Sequence, residues 1–67
     1  MKQNYFIHDG TKYETGTLIV INYFSYIAGR CYDETGKFLY YDTEEQQYYV
    51  EIIGKPYSFS EESFRKS

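Results

Sequence analysis

Between Lys37 and Ile52 the chain reads KFLYYDTEEQQYYVEI: two tyrosine doublets, Tyr40-Tyr41 and Tyr48-Tyr49, around a polar, acidic stretch. The same texture runs through the whole sequence. Tyr, Ile, Val, Thr and Phe are dense, Ala occurs once, and turn-forming residues recur at short spacing. Runs of β-branched and aromatic residues broken this often have room for short strands and little else. The chain therefore reads as all-β.

Sixty-seven residues make a single domain, taken as 1–67 with residues 1–4 and 66–67 expected to be loose. A chain of this size buries only about 60% of its unfolded surface, so its core needs help. Cys31 is the lone cysteine, which rules out an internal disulfide and a cysteine-built metal site. It is expected to be a small buried hydrophobe in a strand. The help comes from ten Tyr and five Phe. Each aromatic ring removes roughly 150–250 Å² from water when buried.

Short strands are expected over 4–8, 17–22, 23–32, 37–41, 48–53 and 57–59. Asp9-Gly10 is a tight-turn signal, and DETG, residues 33–36, reads as a hairpin turn with Gly36 at positive φ. Gly29 reads as a bulge or bend inside a strand. Ser60 followed by Glu61 and Glu62 resembles a helix N-cap with acids at the positive end of the dipole. A short C-terminal helical turn would then drop Phe64 onto the core. The expected core is Leu18, Val20, Ile27, Val50, Ile52, Phe59 and Phe64. An N-terminal hairpin covers Ile19 and Ile21 on the second face, and the parity of 18/20 against 19/21 is left open by the sequence. Strand alternation puts Tyr48, Val50 and Ile52 inside and Tyr49 and Glu51 outside. It also puts Phe38 and Tyr40 on one face, with Leu39 and Tyr41 on the other.

The order TGTLIVIN, YIAGRCYDETG, KFLYYD, YYVEIIGK, YSF and then SEESF resembles the SH3-like small barrel, a layout shared with Tudor and KOW-type domains. The resemblance spans about residues 16–65. It implies a five-stranded antiparallel barrel with a short C-terminal helical turn. The acidic-Trp signature of peptide-binding SH3 domains is absent. Short, acidic, Tyr-rich chains are also similar in type to small phage proteins, anti-CRISPR proteins among them.

Little in the sequence points to catalysis. His8 sits beside Asp9 at a turn, and nothing places Cys31 near it as a nucleophile. Asp42, Glu44 and Glu45 share a turn that lacks the spacing and the glycine of an EF-hand loop. The glycines are isolated, so no phosphate-binding loop exists. No enzyme activity and no cofactor are expected. With no apolar leader and with LIVI as its longest apolar run, the chain is expected to be cytoplasmic and without a membrane partner.

Net charge is −3, but from Asp33 to Glu51 six carboxylates face only Lys37, a local balance of −5. Such a patch repels phosphate backbones and draws a basic protein surface. Tyrosines are favoured interface anchors that lose little entropy on binding. The expected partner-binding residues are Tyr41, Asp42, Glu44, Glu45, Tyr49 and Glu51. They suit a non-catalytic module, of the type of a phage-encoded inhibitor, that occupies the basic nucleic-acid-binding cleft of a host protein. The alternative is an SH3-like nucleic-acid-binding or peptide-reading domain that uses exposed tyrosines, with Lys2, Lys12, Arg65 and Lys66 as a small basic corner. Homodimerisation through β edges is the third reading.

Overall fold

The structure, a computed structural model, describes residues 1–66. It is all-β: β1 (Lys2–Gln3), β2 (Tyr5–His8), β3 (Thr11–Glu14), β4 (Leu18–Ser25), β5 (Arg30–Asp42), β6 (Gln47–Ile52), β7 (Lys55–Ser60) and β8 (Phe64–Lys66). A single 3-10 turn, Glu61–Ser63, joins β7 to β8. The main sheet runs β7-β6-β5-β4-β8, with β1 also pairing β5, and β2-β3 forms a separate hairpin. The expected closed five-stranded barrel is therefore not what forms. Eight strands make two open sheets, because β7 and β8 are the opposite ends of the main sheet and do not pair with each other.

One layer of the core is the inner face of the main sheet, and the other is the β2-β3 hairpin. The buried hydrophobic side chains are Phe6, Ile19, Ile21, Phe38, Tyr48, Val50 and Phe64. This settles the parity of β4: Ile19 and Ile21 are fully buried, while Leu18 is 60% exposed and Val20 is only half-buried. The N-terminal hairpin does supply a lid. Phe6 is its anchor, stacked on Tyr48 with ring centroids 5.2 Å apart and planes 3° apart. Val50 and Phe64 are core residues as expected, and Ile52 and Phe59 pack against the core from its margin. Ile27, placed in the core from the sequence, is wholly exposed.

That error follows from a misplaced turn. The chain does not turn at DETG. It turns at Tyr26–Gly29, where Gly29 takes φ 70° and its N–H bonds to the Ser25 carbonyl at 2.7 Å. β5 then runs without a break through residues 33–36. Gly36 is a buried strand residue with no positive φ, opposite Ile19. It is small because a Cβ there would run into the Val50 side chain and reach the Glu51 carbonyl and Ile52 Cγ1 at 3.0 Å each. Close approach of β5 and β6, not backbone freedom, explains this glycine.

Two more expectations change. The first residues are not free: Lys2 and Gln3 pair with Asp42 and Tyr41. The corresponding expectation for residue 67 lies outside the described residues. Cys31 is an exposed free thiol rather than a buried one. It sits opposite Phe24, on the outer face of the sheet.

Tyr48 introduces one unmatched polar group. Its hydroxyl is buried without a hydrogen-bond partner among the described residues. Burial pushes its ionisation well above the usual 10.0, and Glu61 adds to this while Arg65 opposes it. Tyr48→Phe keeps the ring and removes the orphan, so urea denaturation should show equal stability or a gain of about 1 kcal/mol. The linkage has a definite sign. A raised folded-state pKa gives stability that is complete below the unfolded value and is lost as pH climbs towards the folded one. Wild type should therefore weaken above pH 10 more steeply than Tyr48→Phe. A loss of stability in the variant at neutral pH would show that the hydroxyl is paired.

Candidate functional site

The β5-β6 hairpin is closed by Thr43–Gln46, and Asp42 organises it. Its Oδ1 accepts the backbone N–H of Glu44 at 2.9 Å and of Glu45 at 3.2 Å. Asp and Asn at such positions form turns because the carboxylate substitutes for a backbone acceptor. The Glu45 N–H above all, with that of Glu44, holds the Asp42 carboxyl below its ordinary value against a smaller desolvation effect, and the Met1 ammonium and Lys2 add to the lowering. Gln46 completes the turn at φ 56°.

Pairing across the hairpin is irregular. Phe38 faces Val50 and Tyr40 faces Tyr49, so Leu39 is an extra residue, a β-bulge. The bulge is braced from the neighbouring segment. Thr15 Oγ1 donates to the Leu39 carbonyl, Gly16 N–H donates to the Phe38 carbonyl at 2.8 Å, and Phe38 N–H donates to the Thr17 carbonyl at 2.8 Å. Its effect is to exchange the faces of the doublet. Simple alternation put Phe38 and Tyr40 together. The bulge instead puts Phe38 and Tyr41 on the core side and sends Tyr40 outward.

The expected site residues therefore divide. Tyr41 packs towards the core, with its ring 6.3 Å from Phe6. Tyr49 is on the outer face, as expected, and stacks on Tyr40 at 4.5 Å between centroids and 21° between planes. Its hydroxyl donates to Glu45 Oε1 at 2.8 Å. That bond, followed by desolvation and the nearby negative charge, pushes the Tyr49 hydroxyl up to about 12. Glu51 lies on the same face, opposite Lys37 and Pro56. Asp42 and Glu44 lie at the turn, where the Met1 ammonium approaches them to 3.9 and 2.9 Å.

The outer-face residue that sequence reasoning placed differently is Tyr40. No glycine marks the bulge, so nothing in the sequence separates Tyr40 from Tyr41. The patch is also less uniformly acidic than its sequence, since the Lys2 ammonium sits 4.8 Å over the Tyr40 ring. Asp33 is taken up by Asn22, whose amide donates to it at 2.8 Å. Glu34 points to the opposite, inner face, where it lines a groove with Tyr23 and Phe59.

The other candidate groupings do not assemble. Lys12 is engaged by Glu14 at 3.7 Å and by the Tyr5 ring at 4.7 Å, whereas Lys2 lies over the Tyr40 ring. His8, at the end of β2 in the N-terminal hairpin, packs on Phe64 with centroids 4.5 Å apart, whereas Cys31 lies opposite Phe24 on the outer face. Among the described residues no three His, Cys, Asp or Glu side chains are gathered as metal ligands. No helix among them is long and apolar enough to cross a membrane. Comparison with protein-family models, with curated proteins and with solved structures finds no match.

Proposed function

We propose that this chain is a small non-catalytic binding module that docks the outer face of its β5-β6 hairpin on a basic protein surface. The observation that carries the reading is the ordered Tyr40-Tyr49-Glu45 triplet: two stacked rings and a carboxylate fixed by the Tyr49 hydroxyl. Rings held this way have little side-chain freedom left to lose on binding, which is what makes aromatic anchors effective. Asp42, Glu44 and Glu51 around them supply the charge that steers towards Arg and Lys. Many basic clefts belong to proteins that handle nucleic acid, because Lys and Arg neutralise its phosphates, and the module acts as an inhibitor that occupies one. A phage-encoded, anti-CRISPR-like setting in a host cytoplasm suits that role, and the short, acidic, Tyr-rich sequence is its support. An SH3-like origin is supported by the meander β4 to β7, the 3-10 turn and the return strand β8 beside β4.

The test is capture from a bacterial lysate by immobilised protein. A nucleic-acid-binding protein should be retained, released by added salt, and lost with Tyr49→Ala or Glu45→Lys. Asp42 is left intact because it builds the turn. Retention indifferent to both substitutions would refute the reading. So would direct, steeply salt-dependent binding of oligonucleotides by the chain itself.

A further inference from the structure

The outer parts of β4 and β5 form an arm. Among the described residues β8 meets β4 only at Val20 and Ile21, and β6 pairs with β5 no nearer the tip than Lys37. From Asn22↔Asp33 to Ser25↔Arg30 the two strands therefore have only each other. The molecule is accordingly elongated, 33 Å against 21 Å in the other two directions. The β2-β3 hairpin covers the inner face over Phe38, Tyr48 and Phe64, leaving the arm half uncovered.

That uncovered face is both apolar and charged in a definite order. A groove of about 260 Å³ lies at its base, formed by Tyr23, Glu34, Ile52, Ile53, Tyr57 and Phe59. Ile53, 94% exposed, is held at φ 52°, a conformation that β-branched residues avoid. At the arm's tip Ile27 is 101% exposed, while the Tyr26 ring turns towards the outer face and packs edge-on against Phe24 at 5.1 Å. Along β5, from tip to base, the inner face presents Arg30, Tyr32 and Glu34. The Arg30 guanidinium lies 5.0 Å over the Tyr32 ring, and its Nε donates to the Tyr32 hydroxyl at 3.1 Å. Arg30 and Glu34 sit four positions apart on one strand, roughly 13 Å, too far to pair with each other. Glu34 has no ion-pair partner among the described residues.

We propose that this face is a homodimer interface in which two arms lie antiparallel, inner face to inner face, about a two-fold axis near Tyr32. The tip residue Ile27 of each copy covers the groove of the other. Arg30 of each copy faces Glu34 of the other. The occupant is a second copy because one chain carries both halves of the match: an apolar tip with an apolar groove, and a cation with a carboxylate placed symmetrically about Tyr32. A two-fold axis turns such a strip into two identical contacts. The acidic β5-β6 hairpins are left free at the far ends, so the dimer is independent of the function proposed for them.

Sedimentation velocity on the intact chain tests this. The interface is small, so dimer should appear between about 10 μM and 1 mM. Arg30→Glu and Glu34→Arg, each checked for folding by circular dichroism, should each weaken association about ten-fold or more. The double variant Arg30→Glu/Glu34→Arg should restore it, because the pairing is merely reversed. Glu45→Lys should leave it unchanged. A monomer at every concentration overturns the proposal, as does a dimer that neither single variant weakens or one the double variant fails to restore.

Discussion

Phe6→Ala should detach the N-terminal hairpin and bring the whole chain to the edge of unfolding. Phe6 is the one fully interior residue of that hairpin. Its ring lies 5.3 Å from Tyr13, 5.0 Å from Phe38, 5.2 Å from Tyr48, 5.4 Å from Phe64 and 6.3 Å from Tyr41. No other side chain joins so many parts of the core. Truncating a buried Phe costs about 3–5 kcal/mol. A domain of this length holds roughly 3–10 kcal/mol in total. The loss is therefore comparable with everything that keeps the chain folded. Urea denaturation followed by circular dichroism should give a transition shifted to very low denaturant, or none. Phe6→Leu, which keeps most of the volume, should retain a cooperative transition. A Phe6→Ala protein within about 1 kcal/mol of wild type would mean that the hairpin does not close the core.

Gly36→Ala should be nearly as damaging, although it adds a single methyl group to a residue with ordinary backbone angles. Overpacking of this kind costs about 1–3 kcal/mol and sometimes more. The added carbon runs into Val50, with the Glu51 carbonyl and Ile52 close behind. The Glu51 carbonyl belongs to the backbone of β6, so the strands themselves must separate. A double substitution identifies the cause. In Gly36→Ala/Val50→Ala the new methyl group occupies space vacated by the valine, and the pair should cost measurably less than the two single losses combined. Strict additivity would mean that Gly36 matters for some reason other than contact with Val50.

Gly36 also shows where sequence and structure part. The all-β character, the Asp9-Gly10 turn with φ 53° and 78°, the inward alternation of Tyr48 and Val50, and the return of Phe64 to the core could all be read from the chain. Each depends on local chemistry. DETG misled because its residues are those a turn uses, yet its glycine serves the packing of two strands. Tyr26-Ile27-Ala28 misled in the opposite sense. It has strand composition, but Gly29 follows at the spacing that a four-residue turn needs. A single misplaced turn then moved Ile27 from a tip into a supposed core. How the residues of the candidate region face was only partly legible: Tyr49, Glu45 and Glu51 lie on the outer face as expected, whereas Tyr41 packs towards the core and Tyr40 takes the outer position. Only the bulge at Leu39 decides between them, and it is imposed from outside the hairpin by Thr15, Gly16 and Thr17.

The order of the main sheet has a consequence for how the chain assembles in time. Strands β4 to β7 are joined one to the next by short turns, so each pairing closes a small loop and can form early. The contacts Lys2↔Asp42 and Ile21↔Phe64 join residues some forty positions apart and must wait for that meander. Phe6, docking with the first of these, belongs to the late events. Its loss should leave the rate of folding nearly untouched and accelerate unfolding, whereas truncating Val50, inside the meander, should slow folding itself. The same late step means that a chain which has already built its meander still exposes Phe38 and Tyr48, and is most open to wrong partners just before the N-terminal hairpin arrives.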